Sequence, residues 1–226
     1  MDSRGQGRST LSSRGISYDL MTSDVIALLD YLGISKVHVV GWSDGAIIGL
    51  NIAMKYPTRL RSLFAFAANY NPSGVKDITL SPVFLAYLQR SQIEYQSLNP
   101  APNYTQLYNV MLSMWGSSPS WTQRNFAMIN SSLPIWIVDG DHEEAIYREQ
   151  PDTMSSWIPQ SGELIIPRTS HFAFMQIPDL FTTNLARFLV EADCFNCTYI
   201  VTSGSSSTKN FSFFISFCML IKLSFF

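Results

Sequence analysis

A serine stands between two glycines in the stretch GWSDG, residues 41–45, which has the pattern G-x-S-x-G. The β-branched run KVHVV precedes it, and small and aliphatic residues follow it. On such a strand-to-helix turn a serine is held in a strained conformation with its Oγ exposed, and the glycines let strand and helix approach closely. The pattern also arises by chance, but this setting favours Ser43 as a nucleophile. The same turn directs the backbone N–H of Asp44 at a developing oxyanion.

A nucleophilic serine needs a base, and the sequence offers three histidines. His38 lies inside the run KVHVV, where we expect a hydrogen-bonded structural histidine. His142 follows the predicted strand PIWIVDGD, and His171 follows the last predicted strand. Catalytic groups of an open α/β sheet gather in the loops beyond the carboxyl ends of its parallel strands, which favours His171 as the base.

The third member of such a site is an acid, and four carboxylates follow the run PIWIV: Asp139, Asp141, Glu143 and Glu144. One of them is expected to orient His171 and stabilise its imidazolium form. We expect the others to be solvated or to cap the next helix.

Predicted strands and helices alternate along the chain and would position these residues. Apolar residues at helical spacing predict helices, and short β-branched runs predict buried strands. The predicted strands are 36–40, 60–67, 134–141 and 163–167, and the predicted helices are 18–32, 44–55, 146–157 and 178–192. Strand, helix, strand with short connections indicates an α/β fold with a parallel sheet.

Two segments depart from this rhythm. Residues 69–130, rich in proline, tyrosine, tryptophan and methionine, indicate a helical insertion with an aromatic face between core segments 1–68 and 131–193. Residues 194–226 form a tail of different composition that ends in the Phe-rich segment 211–226. As a helix this segment would span about 24 Å, against roughly 30 Å of hydrocarbon. It is read either as a short membrane anchor or as a non-native extension from a misread exon boundary.

Composition excludes several classes of protein. A length of 226 residues with 46% hydrophobic content suits one domain, with or without an insertion. A net charge of -2 and 14% charged residues exclude nucleic acid as a partner. All three cysteines lie in the last fifth, and the C-x-x-C pair Cys194 and Cys197 lacks a second pair, so no metal or cofactor is predicted. The N-terminus lacks a secretory signal, and we expect a cytoplasmic protein.

Taken together, the sequence resembles the α/β-hydrolase superfamily, from residue 2 to about residue 191. The matching stretches are DSRGQGRS, the helix 18–32, VHVVGWSDG, YPTRLRSLFAF, LPIWIVDGDHEEAI and SHFAFMQIPDLF. The resemblance implies the α/β-hydrolase fold, a mostly parallel sheet with helices on both faces and a helical cap formed by the insertion. It implies Ser43 as nucleophile and His171 as base. The family's acid stands three residues after a glycine, which is Glu143 here, with Asp141 as the alternative.

The resemblance also implies an activity. Relatives with aspartate at the nucleophile position are epoxide hydrolases and dehalogenases, whereas Ser43 indicates cleavage of an ester, lactone or related small acyl substrate, or of a C–C bond, through an acyl-enzyme. The family's D-x-R-G-x-G-x-S motif, here residues 2–9, follows its fourth strand. We therefore expect the first strands and a second oxyanion donor to be missing, which would expose an edge strand. The alternative is a catalytically impaired fragment or a non-enzymatic binding protein. The oligomeric state is left open.

Overall fold

The strands and helices of this protein follow the predicted alternation. The structure, a computed structural model, describes residues 1–193 and 218–220. Its elements are α1 (Tyr18–Tyr31), β1 (Val37–Trp42), α2 (Asp44–Lys55), β2 (Leu60–Phe66), α3 (Pro82–Leu98), α4 (Tyr104–Trp115), α5 (Gln123–Phe126), β3 (Ile135–Gly140), α6 (Glu149–Trp157), β4 (Ser161–Ile166), α7 (Ala173–Gln176), α8 (Pro178–Asp193) and β5 (Cys218–Leu220).

The five strands of the described residues form one parallel sheet in the order β4-β3-β2-β1-β5. The strand that precedes the serine turn, β1, is therefore an inner strand, with β2 on one side and the three residues of β5 on the other. We expected an exposed edge in this sheet, yet Cys218–Leu220 pair with His38, Val39 and Val40 of β1. The rest of the predicted tail, including most of the Phe-rich segment and the pair Cys194 and Cys197, lies outside the described residues.

Helices cover both faces of the sheet, which confirms the predicted fold class. Alternate strand residues point to opposite faces. Val39 and Leu63 pack into the cluster that holds α1, α2 and α6, whereas Val40 and Phe64 pack into the cluster that holds α8. The helix α2 lies close to the sheet because Gly49 has no side chain: a Cβ there would lie 2.5 Å from a methyl carbon of Leu63.

Local signals in the sequence set the ends of α1. Ser17 caps its N-terminus, since the Ser17 side chain accepts a hydrogen bond from the backbone N–H of Leu20. After its last turn Gly33 takes the left-handed conformation, with φ of 67°. One prediction was less accurate: the helix expected from residue 146 begins at Glu149, because Ile146 forms an antiparallel bridge with Val75.

The segment 69–130 carries α3, α4 and α5 between β2 and β3. Its buried side chains, among them Tyr95, Leu107 and Met111, belong to the same apolar cluster as α1 and α2. Nowhere in residues 1–193 and 218–220 is a helix both long and apolar enough to cross a membrane.

Candidate active site

Ser43 sits on the turn between β1 and α2 in a backbone conformation that non-glycine residues rarely adopt, with φ of 54° and ψ of -120°. Hydrogen bonds hold this strain in place: the Ser43 N–H donates to Phe66 O at 2.8 Å, and Ser43 O accepts from the N–H of Ala46 at 2.9 Å. Gly41 is required here, since a Cβ at Gly41 would lie 2.4 Å from the Gly45 carbonyl carbon. This is the strand-turn-helix setting that the G-x-S-x-G pattern predicts.

Besides the backbone N–H that the sequence analysis singled out, Asp44 brings to this turn a carboxylate whose burial sequence reasoning missed. Its backbone N–H belongs to the first residue of α2, where N–H groups have no partner within the helix. Its carboxylate is buried, accepting a hydrogen bond from Tyr18 Oη at 2.6 Å and from Trp115 Nε1 at 3.1 Å. Burial raises the pKa of Asp44 from 3.8 to about 6, although both hydrogen bonds oppose this shift. No local pattern signals the contact, because the donors lie 26 and 71 residues away.

His171 lies in the loop after β4 and is buried. Three contacts fix it: its Nδ1 is 2.9 Å from Glu143 Oε1, its backbone N–H donates to Glu144 Oε2 at 2.9 Å, and its carbonyl accepts from Trp42 Nε1 at 2.8 Å. An ionised carboxylate can only accept, so Nδ1 carries the hydrogen of this pair. The other ring nitrogen, Nε2, is then the basic one.

Of the two candidate acids, the structure brings Glu143 and not Asp141 to His171. Glu143 Oε1 also accepts from the backbone N–H of Ala145 at 2.7 Å. Burial disfavours the Glu143 anion, but the charge and hydrogen bond of His171, with the Asp139 and Ala145 contacts, outweigh burial and lower its pKa. The exposed Asp141 contacts His142 Nδ1 at 2.6 Å and the Thr169 N–H at 3.2 Å instead.

The expectation that the remaining carboxylates are solvated or cap the next helix was wrong for Asp139 and Glu144, whereas Asp141 is exposed. Asp139 and Glu144 are neither solvated nor helix caps: Asp139 is 1% exposed and contacts the Glu143 side chain, and Glu144 binds the backbone of His171. The physical reason is that the loop after β3 folds against the loop after β4. Gly140 allows this approach, since a Cβ there would lie 2.3 Å from Thr169 O.

The two other histidines take no part in this cluster. His38 is buried in β1, and its Nδ1 lies 2.8 Å from the hydroxyl of Ser62, as expected for a structural histidine. His142 lies on the surface beside Asp141. In the part of the chain that the structure describes, no three His, Cys, Asp or Glu side chains are arranged to hold a metal ion.

Ser43 and His171 line one cavity of about 60 Å³. Half of the residues that line it belong to the core: Tyr18, Ser43, Asp44, Ala145, Ile146 and His171. The other half come from the segment 69–130: Asn69, Val75, Ile78, Phe84, Trp115 and Ser118. The insertion therefore forms one wall of the cavity that Ser43 and His171 both line.

The fold and the site together indicate the family of this chain. The parallel sheet is covered on both faces, a strained serine follows an inner strand, and the loops after β3 and β4 hold a glutamate–histidine pair. A family model described as the alpha/beta hydrolase fold matches residues 1–91. The chain belongs to the α/β-hydrolase fold family, as the sequence resemblance predicts.

Individual relatives can be named. The chain is 35% identical over 205 residues to the serine hydrolase BPHL of Mus musculus. The aligned region covers 83% of this chain and 67% of that protein. It is 37% identical over 213 residues to the dihydrolipoyllysine-residue acetyltransferase component of the acetoin cleaving system of Pseudomonas putida, covering 84% of this chain. The chain spans only about half of that relative's length, 55%. A meta-cleavage product hydrolase of Pseudomonas fluorescens has the same fold, with a TM-score of 0.69 at 16% identity, covering 84% of this chain and 78% of that one.

Proposed function

We propose that this protein is a serine hydrolase that cleaves an ester, lactone or related acyl substrate through an acyl-enzyme. One observation carries the proposal: His171, whose Nδ1 is bonded to Glu143, lines the same cavity as Ser43, which is held in a strained turn. A nucleophile, its base and the group that orients the base define this chemistry by their geometry.

In the proposed reaction, Ser43 Oγ attacks the acyl carbon and its proton passes to His171 Nε2. The backbone N–H of Asp44 stabilises the oxyanion of the tetrahedral intermediate. The bond to the leaving alcohol then breaks, and the alcohol takes the proton from Nε2. Water attacks the acyl-enzyme, gives a proton to Nε2 and releases the acid, and that proton returns to Ser43 Oγ. Glu143 stabilises the imidazolium form in both halves.

The cavity supports a proposal on substrate size. Its volume of about 60 Å³ is well below the roughly 300 to 1,000 Å³ of sites for drug-sized ligands. Either a small acyl group enters, or the segment 69–130 moves aside as a cap. That segment supplies half of the lining, including Phe84 and Trp115, which supports its proposed role as the cap. Two of the relatives, a serine hydrolase and an acetyltransferase component, have names that fit acyl chemistry.

A fluorophosphonate probe, followed by peptide mapping, tests the nucleophile. We expect one adduct, at Ser43, in the folded protein and none in Ser43→Ala. As the matched control, Ser132→Ala changes an exposed serine and should label like the unaltered protein. Folded protein without a Ser43 adduct would refute the proposal and favour the alternative of a non-enzymatic binding protein.

A further inference from the structure

The two oxygens of the Glu143 carboxylate have unequal surroundings. Oε1 accepts from His171 Nδ1 and from the backbone N–H groups of Ala145 and Ile146. Oε2 is buried as well, but no N–H or hydroxyl group of the described residues donates a hydrogen bond to it. A buried acceptor on an ionised carboxylate is costly when no hydrogen reaches it. The structure therefore calls for a donor beside Oε2.

Asp139 is the neighbour that can supply this hydrogen. Its side chain is within hydrogen-bond contact of the Glu143 side chain, and it is 1% exposed. Two carboxyl groups in contact in a buried site do not both ionise, because the like charges repel each other at low dielectric. In such a pair one carboxyl is neutral and can donate a hydrogen bond to the other.

The surroundings decide which group holds the proton. Glu143 faces His171 Nδ1 and two backbone donors, all of which favour its anion. Among the described residues, the donor to Asp139 is the N–H of Gly140, at 2.8 Å. Burial, followed by the charge of Glu143, raises the pKa of Asp139 well above its ordinary value, and the charge of Arg148 only partly opposes this. A second cation, Lys76, donates to the backbone carbonyl of Glu143 at 2.5 Å.

We propose that Asp139 is a positioning residue for the acid of the catalytic site: as a neutral carboxylic acid it donates its proton to Glu143 Oε2, which leaves Oε1 facing His171 Nδ1. The hydrogen bond fixes the rotation of the Glu143 carboxylate. It also keeps a single negative charge behind the imidazole instead of two. The catalytic consequence rests on the proposed function, whereas the shared proton does not.

Paired variants test the positioning role, with p-nitrophenyl acetate as the substrate. Asp139→Asn keeps an N–H donor at the same place, and Asp139→Leu has similar bulk without a donor. We expect Asp139→Leu to lose roughly ten- to hundredfold in kcat with little change in KM, because a charged acceptor loses its partner. Asp139→Asn should restore most of that loss. If the two variants are equally impaired, or neither is, the role is refuted.

An infrared measurement tests the proton itself and does not depend on activity. At pH 8 the Asp44 carboxyl, with a pKa of about 6, is ionised, so Asp139 should supply a carboxylic-acid C=O band. We expect Asp139→Asn to remove this band and the matched control Asp44→Asn to retain it. A spectrum without the band overturns the inference even if the variants fold poorly. If the band is present but Ser43 takes no probe, the proposed function fails while the shared proton stands.

Discussion

The buried carboxylate of Asp44 makes a prediction about stability that can be worked through in numbers. Its pKa is about 6 in the folded protein, against an ordinary 3.8. A pKa difference of about 2 corresponds to about 3 kcal/mol in the free energy of unfolding. The folded state binds this proton more tightly than the unfolded state. Stability from this group is therefore complete below pH 3.8 and is lost as the pH rises through 6.

Asp44→Asn removes the charge and keeps an amide oxygen that can accept from Tyr18 or Trp115. At pH 8 we expect the variant to be more stable than the unaltered protein by about 1 to 3 kcal/mol. The lower bound allows for replacing a carboxylate by a neutral acceptor, which forms weaker hydrogen bonds. At pH 4 the advantage should largely disappear, because Asp44 is then protonated in the folded protein.

Urea unfolding, followed by tryptophan fluorescence at pH 4, 6 and 8, gives the free energy of unfolding of each protein. The other carboxylates contribute equally to both, so only the difference between the two proteins is interpreted. Asp77→Asn is the control of opposite sign: Asp77 is exposed, and its hydrogen bonds to Thr79 lower its pKa. An Asp44→Asn difference that is independent of pH, or a less stable variant at pH 8, would refute the reasoning.

Three further predictions follow from the same contacts. Glu143→Gln should lower kcat for ester hydrolysis by about 10³- to 10⁴-fold, whereas Asp141→Asn should change it little; equal losses in a steady-state assay would contradict the choice of acid. Gly41→Ala puts a methyl group 2.4 Å from the Gly45 carbonyl carbon, so the free energy of unfolding measured in urea should fall by about 1 to 3 kcal/mol. A variant of unchanged stability that the fluorophosphonate probe labels normally would argue against this packing. Tyr18→Phe removes the donor that lies 2.6 Å from the buried Asp44 carboxylate, so the free energy of unfolding should fall by about 1 to 3 kcal/mol at pH 8 and by less at pH 4. An equal fall at both pH values would contradict this prediction.

Much of the fold was predictable because its signals are local. Helix α2 begins and ends where the sequence predicts, at Asp44 and Lys55. The periodicity of α1 and the glycine that follows it are local as well. The start of α6 was predicted too early, since the bridge between Ile146 and Val75 joins residues far apart in the sequence.

The sequence by itself determined the turn around Ser43. The strained serine and the glycine at position 41 depend only on a strand passing directly into a helix, and nearby residues encode that passage. It also limited the base and the acid to a few residues in two loops.

Only the tertiary structure decided how those loops meet. It joined Glu143 to His171 across 28 residues, left Asp141 on the surface and buried Asp139 behind the acid. It also brought Tyr18 and Trp115 to the Asp44 carboxylate. These contacts depend on how separate loops and helices pack, and burial sets the charge of each carboxyl. Carboxylates that look alike in the sequence therefore differ in the folded protein: one contacts the histidine, one lies behind that acid and one remains in water.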